Sequence, residues 1–130
     1  MKKSFLTLLL FFVVALIAIA FTYTTPREKQ NLSLSSWSFK AASSNDPGTV
    51  HYVNSIYEGS EYRFADDQTY TGTFFGLAIA GTWEVSNETL ILNRGTSHEE
   101  MYTFSMTEED GLVLETTEKG KKVFINFVKK

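Results

Sequence analysis

The residues with the widest chemical range in this chain are two histidines and a scatter of carboxylates. His98-Glu99-Glu100 is the densest group. Neighbours on a strand point to opposite faces, so only His98 and Glu100 of the three can converge. Two ligands without a third do not make a metal site, and the group reads as an exposed strand entry. His51 stands alone in Val50-His51-Tyr52-Val53. Asp66-Asp67 lacks the spaced oxygen ligands of a calcium loop and fits a hairpin turn. Gly72, Gly76 and Gly81 lack the Gly-Lys-Ser/Thr ending of a phosphate loop and mark a bend or a crowded strand. No Gly-x-Ser-x-Gly elbow is present. Glu58, Glu61, Glu84 and Glu115 are scattered, with no carboxylate pair set apart in an apolar setting. Asn31 and Asn87 sit in glycosylation-acceptor patterns, which matter only in a eukaryotic secretory route. These residues predict no catalytic centre, no metal and no cofactor.

Composition narrows the field further. The 130 residues suffice for one domain. There is no cysteine, which removes disulfides, thiolate metal sites, a cysteine nucleophile and lipid attachment at a leader cysteine. Of 12 basic residues, Lys2 and Lys3 fall in the leader, leaving 10 against 15 acidic residues, a net charge of −5. Nucleic-acid binding needs clustered Lys and Arg. The one basic cluster, Lys119, Lys121 and Lys122 with Lys129 and Lys130, reads as a solvated turn and tail, so no nucleic-acid partner is expected.

The leader, residues 1–20, has Lys2 and Lys3 before an apolar run, with Ala18-Ile19-Ala20 supplying small residues at a cleavage site. A cleaved export signal is the first reading and an uncleaved membrane anchor the second, since 17 residues lie at the short end of a bilayer span. Either places the rest of the chain outside the cytoplasm, in the periplasm or cell envelope, and the membrane enters only if the leader is kept. Residues 21–34, with Thr24-Thr25-Pro26 and a polar run, read as a flexible tether. The domain is expected over 35–130.

That domain must position whatever chemistry exists. Segments 33–40, 50–57, 61–65, 69–75, 79–85, 89–93, 100–107, 112–117 and 122–128 read as strands, with no amphipathic helix of useful length among them. Turns at Asp66-Asp67-Gln68, Asn87-Glu88, Glu109-Asp110-Gly111 and Lys119-Gly120-Lys121 join them, and such short connections favour antiparallel neighbours in simple order. Residues 41–48 form the one long polar loop. The expected fold is all-β, an up-and-down antiparallel barrel or strongly curved sheet behind an apolar leader helix.

Alternation sorts the faces. Tyr62, Phe64, Tyr70, Phe74, Trp83, Tyr102 and Phe104 fall inward, with Val85, Leu90, Leu92, Met106, Leu112, Leu114, Val123, Ile125 and Phe127. Trp83 is expected to be buried, and Trp37, near the tether, less so. The apolar stretch from Gly76 to Gly81 reads as a strand buried on both faces or a packed hairpin. Its second reading is a greasy flap over a barrel mouth or a partner contact.

Several of these pieces resemble the lipocalin-like, or calycin-like, domains of exported Bacteroidetes proteins. The matching residues are Trp37 with Phe39, Tyr62-Arg63-Phe64 before the Asp66-Asp67 turn and Thr69-Tyr70, Gly81-Thr82-Trp83-Glu84-Val85, Asn87-Glu88-Thr89-Leu90-Ile91-Leu92, and the closing aromatic strand. The resemblance covers about residues 35–128. The chain departs from the usual lipocalin opening: Ser35-Ser36 precede Trp37, and the Gly-x-Trp lies mid-chain. The resemblance implies a small barrel whose interior or mouth can hold an apolar ligand. The leading expectation is therefore a non-catalytic exported binding module, with Tyr62, Phe64, Tyr70, Phe74, Trp83, Tyr102 and Phe104 lining the site. The alternative is an envelope protein–protein interaction or inhibitor module with a filled core, and an enzyme ranks last.

Overall fold

In the computed structural model the described residues are 31–33 and 35–130. The expected leader and most of the expected tether lie outside them. Eight strands close on themselves in chain order: β1 Ser36–Ser44, β2 Glu61–Phe64, β3 Thr69–Phe74, β4 Leu77–Ser86, β5 Thr89–Leu92, β6 Glu100–Met106, β7 Gly111–Glu118 and β8 Lys121–Lys129. All neighbours are antiparallel. The barrel closes where β1 pairs β8, from Trp37↔Lys129 to Ser44↔Val123, with a bulge between Phe39 and Ala41. The expected up-and-down barrel is the observed architecture. Six of the seven connections are short turns or loops, which is why each strand pairs with the next.

The exception corrects the sequence reading. Residues 50–57, expected as a strand, belong to helix α1, Pro47–Tyr57, between β1 and β2. Val50, Val53 and Ile56 favour strands in isolation, but the start signal outweighs them. The Asp46 carboxylate accepts from the Thr49 amide at 2.9 Å and the Thr49 hydroxyl at 2.6 Å, and Pro47 occupies the first turn. Thr49, Val53 and Tyr57, spaced by four, form the buried stripe against the barrel. The supposed loop 41–48 is thus the end of β1 plus a helix cap.

The barrel has two unlike ends. Turns 65–68, 87–88 and 107–110 surround the far end; α1, the hairpin at Phe75-Gly76, residues 93–99 and the turn at Lys119-Gly120 surround the mouth. Trp37 and Trp83 plug the far end, 1 % and 2 % exposed, so Trp37 is as buried as Trp83, contrary to expectation. The reason is local. Trp37 Nε1 donates to the Leu32 carbonyl at 3.1 Å, and Leu32, expected in the tether, is 0 % exposed. Trp83 Nε1 donates to the Ala65 carbonyl at 2.9 Å, and its ring lies 5.3 Å from that of Phe64. A buried indole needs such an acceptor. Phe104, Leu112, Leu114, Val123, Ile125 and Phe127 continue the packed interior. Every one of these falls on the face that alternation assigned to the core.

Candidate functional site

The site arises from unequal strand lengths. β4 has 10 residues and β5 has 4. β3 pairs with β4 all the way from Thr82 to Leu77. β5 pairs with it only from Ser86 to Trp83, where Trp83 meets Leu92. Beyond Leu92 the chain leaves the sheet as residues 93–99 and re-enters it at Glu100. The segment Leu77 to Gly81 therefore has a strand on one side only. Of the two forms of the expected packed segment at 76–81, the hairpin stands, since Phe74 pairs with Leu77, but a strand buried on both faces is overturned by its exposure. Phe75 and Leu77 at the hairpin tip are 65 % and 68 % exposed, and Ala78 and Ala80 are exposed as well.

A cavity of about 550 Å³ opens through this gap toward the mouth. One wall is the overhanging strand at Ala78, Ile79 and Ala80, and Leu92 borders it where β5 stops. The inner wall is aromatic: Tyr57, Tyr62, Tyr70 and Phe74. Tyr57 meets Phe74 edge-on at 5.0 Å and tilts against Phe39 at 5.7 Å, so α1 helps to build the pocket. The opposite rim is polar, with Asn93, Thr96, His98 and Glu100.

Asn93 holds the rim in place. Its backbone has a positive φ of 54°, which Asn tolerates better than most residues. Its amide donates to the Thr82 carbonyl at 2.9 Å, its Oδ1 accepts from the Thr82 amide at 3.2 Å, and its Nδ2 donates to the Tyr70 hydroxyl at 3.0 Å. Gly81 makes room for this: a Cβ there would lie 1.9 Å from Asn93 Oδ1 and 2.8 Å from Tyr70 Cε1. The loop ties itself down further. Glu99 Oε2 accepts from the Gly95 amide at 2.7 Å, and Thr96 Oγ1 donates to the Asn93 carbonyl at 2.8 Å.

Tyr57, Tyr62 and Tyr70 bring hydroxyls to the lining, and Tyr102 stands behind Glu100. The Tyr102 hydroxyl donates to the Glu100 carboxylate and lies 3.4 Å from the Tyr57 hydroxyl. Burial pushes the phenols of Tyr57, Tyr62 and Tyr102 above their ordinary range, and the negative charge of Glu100 adds to the rise. They stay neutral at physiological pH and act as hydrogen-bonding groups. The Tyr62 hydroxyl makes no hydrogen bond among the described residues, and Tyr70, accepting from Asn93, keeps its own proton to donate. Glu100 is the carboxylate on the lining, and among the described residues neither lysine nor arginine lies on it.

Of the seven residues expected to line a site, Tyr62, Tyr70 and Phe74 do. Tyr102 stands beside it through Glu100. Phe64, Trp83 and Phe104 do not: they fill the far half of the barrel, where close packing leaves no room. Sequence reading misses Tyr57, whose helix has the composition of a strand, and Asn93. It passes over His98 and Glu100 after noting that they share a face. Among the described residues no three His, Asp or Glu side chains stand close enough to hold a metal ion.

No family model and no curated protein matches the chain. Among solved structures, the barrel is similar to a DUF4847 family protein from Bacteroides vulgatus, with a TM-score of 0.51 and 16 % identity over 75 % of this chain and 93 % of that one. The likeness is one of fold, and it is consistent with the Bacteroidetes-type barrel that the sequence resembles.

Proposed function

We propose that this chain is an exported, lipocalin-like binding module, and that it holds a small, largely apolar ligand in the cavity at the barrel mouth. One observation carries the reading. The barrel is packed solid at the far end yet retains about 550 Å³ at the mouth, bounded by four aromatic rings. Small-molecule sites commonly enclose roughly 300–1,000 Å³, mostly apolar with a few convergent polar groups. The hydroxyls of Tyr62 and Tyr70 are those groups. The proposed ligand site thus lies at the barrel's mouth and not throughout its interior, because Phe64, Trp83 and Phe104 fill the far half.

Titration with the neutral fluorophore N-phenyl-1-naphthylamine tests it. Saturable fluorescence enhancement that is lost in a folded Phe74→Asp variant is the expected result. Absence of enhancement, or enhancement unchanged in that variant, would remove the cavity as a ligand site. A second reading, an envelope interaction module, is favoured by the exposed apolar tip at Phe75 and Leu77.

A further inference from the structure

The free side of β4 has a hydrogen-bonding pattern of its own. In an antiparallel strand, residues alternate in the side to which their N–H and C=O groups point. Trp83 donates its amide to Gln68, on the β3 side. Thr82 bonds through both its amide and its carbonyl to Asn93, on the β5 side. Counting back by two, Ala80 and Ala78 also face the β5 side. There the β5 ladder has already ended at the Trp83↔Leu92 pair. Each alanine thus presents one donor and one acceptor into the gap, with no backbone partner among the described residues. Buried or edge backbone groups of this kind are the usual template for an added strand.

We propose that the gap takes an extended peptide segment of a partner protein, which adds as a strand along Leu77 to Gly81 where β5 leaves off. The peptide's inserted side chain enters the same cavity as the small-ligand reading, but the strand pairing rests on the open edge of β4, so the two can fail separately. The side chains nearest the gap favour it: methyl groups at Ala78 and Ala80 let a second backbone approach to the strand spacing of about 4.8 Å. Cross-strand partners share a face. Ile79 is paired with Gly72 on the face that carries Tyr62 and Tyr70. The peptide residue opposite Ile79 therefore directs its side chain into the cavity. That side chain passes Phe74 and Tyr70 and arrives at Glu100. A Lys or Arg fits this path: its methylene stem lies on the aromatic wall and its cationic head meets the carboxylate and the tyrosine hydroxyls. An acidic residue would face Glu100 with no lysine or arginine among the described lining residues to offset it. The partner segment is thus extended, apolar or β-branched on its outer face, and basic at the inserted position.

The test is calorimetry of the chain, in the form its native cell makes, with acetyl-Thr-Val-Lys-Val-Thr-amide. Saturable binding is expected. Replacing the peptide's Lys by Glu should weaken it at least tenfold, and N-methylating both Val amides should abolish it. On the protein side, Ala80→Pro removes an outward donor that the barrel itself does not use, so folding should survive while binding falls at least tenfold. Glu100→Gln should narrow the preference for Lys over Glu. No binding, equal binding of the Glu peptide, or binding indifferent to N-methylation would overturn the proposal, and the N-methyl result decides even if Ala80→Pro fails to fold. Self-association through this edge, seen as an Ala80-dependent dimer that excludes the peptide, would also overturn it. Fluorophore binding without peptide binding would sink this inference alone; loss of both would sink the small-ligand reading too.

Discussion

The two ends of the barrel are built from the same strands and the same alternation, yet one is shut and the other open. At the far end the large side chains are Trp37, Phe64 and Trp83. Both indole N–H groups are satisfied by carbonyls of the chain itself, so the rings pack without leaving a polar atom exposed to an apolar interior. At the mouth the corresponding positions are Tyr57, Tyr62, Tyr70 and Tyr102. A phenol carries its polar atom at the tip: those of Tyr57, Tyr70 and Tyr102 meet one another, Asn93 or Glu100, while that of Tyr62 makes no hydrogen bond among the described residues, so this end cannot be closed by apolar packing alone. The early end of β5 removes a piece of wall at the same level. Aromatic content alone therefore does not say whether a small barrel is filled. The position of the polar tips, and the lengths of adjacent strands, decide it.

The largest effects should come from the closed end. Trp83→Ala and Trp37→Ala are each expected to cost about 3–5 kcal/mol, because each removes a fully packed ring. Urea unfolding of both variants checks this. A Trp37→Ala protein as stable as the wild type would break the picture of two equivalent plugs. Next comes the hinge of the open end. Gly81→Ala forces a methyl group against Asn93 and the Tyr70 ring, and should cost about 1–3 kcal/mol while displacing residues 93–99. Thermal melts together with the Asn93 side-chain NMR signals would show both parts. A variant with unchanged Asn93 signals would mean that Gly81 does not set the rim. The lid of the mouth depends on a cap. Asp46→Ala should cost about 1 kcal/mol, since two hydrogen bonds to Thr49 are lost at the start of α1. Circular dichroism during urea unfolding gives the number, and Asp46→Asn should recover most of it. The smallest effect belongs to Tyr62→Phe. Its hydroxyl bonds to nothing among the described residues, so stability should stay within about 0.5 kcal/mol while fluorophore binding weakens. A large stability loss would show that the hydroxyl is part of the fold and not of the site.

Much of the barrel is legible in the sequence, for a simple reason. A half-buried strand writes its core face every second residue, and Tyr62, Phe64, Tyr70, Trp83, Leu90, Leu92, Tyr102 and Phe104 obey that period, although Ile91 between two of them is buried as well. The helix is not legible from its body, because Val-His-Tyr-Val and Ile-Tyr suit a strand. Its signature lies upstream, in Asp46-Pro47 with Thr49, where a capping carboxylate and a first-turn proline look like an ordinary turn. The burial of Trp37 escapes the sequence because its cover, Leu32, comes from a segment whose polar neighbours suggest a tether. The candidate site is only half visible. Tyr62, Tyr70 and Phe74 follow from alternation, but the opening depends on where β4 and β5 stop. Reading them as 79–85 and 89–93 narrows the difference in length and hides most of the overhang. The signal that reveals it is Asn93-Arg94-Gly95, a turn-forming group placed too early for β5 to match its neighbour.

Beyond the end of β5, β4 pairs with β3 alone, so the barrel has a side door at its mouth. Amide hydrogen exchange, read residue by residue without any ligand, tests it most directly. Ile79 and Gly81 point their amides at β3 and should be protected. Ala78 and Ala80 point theirs into the gap and should exchange faster by roughly two orders of magnitude. That alternation along one short strand is the predicted result. Uniform slow exchange from Leu77 to Gly81, at low protein concentration, would mean that the edge is already paired, and the account of an open mouth would be wrong.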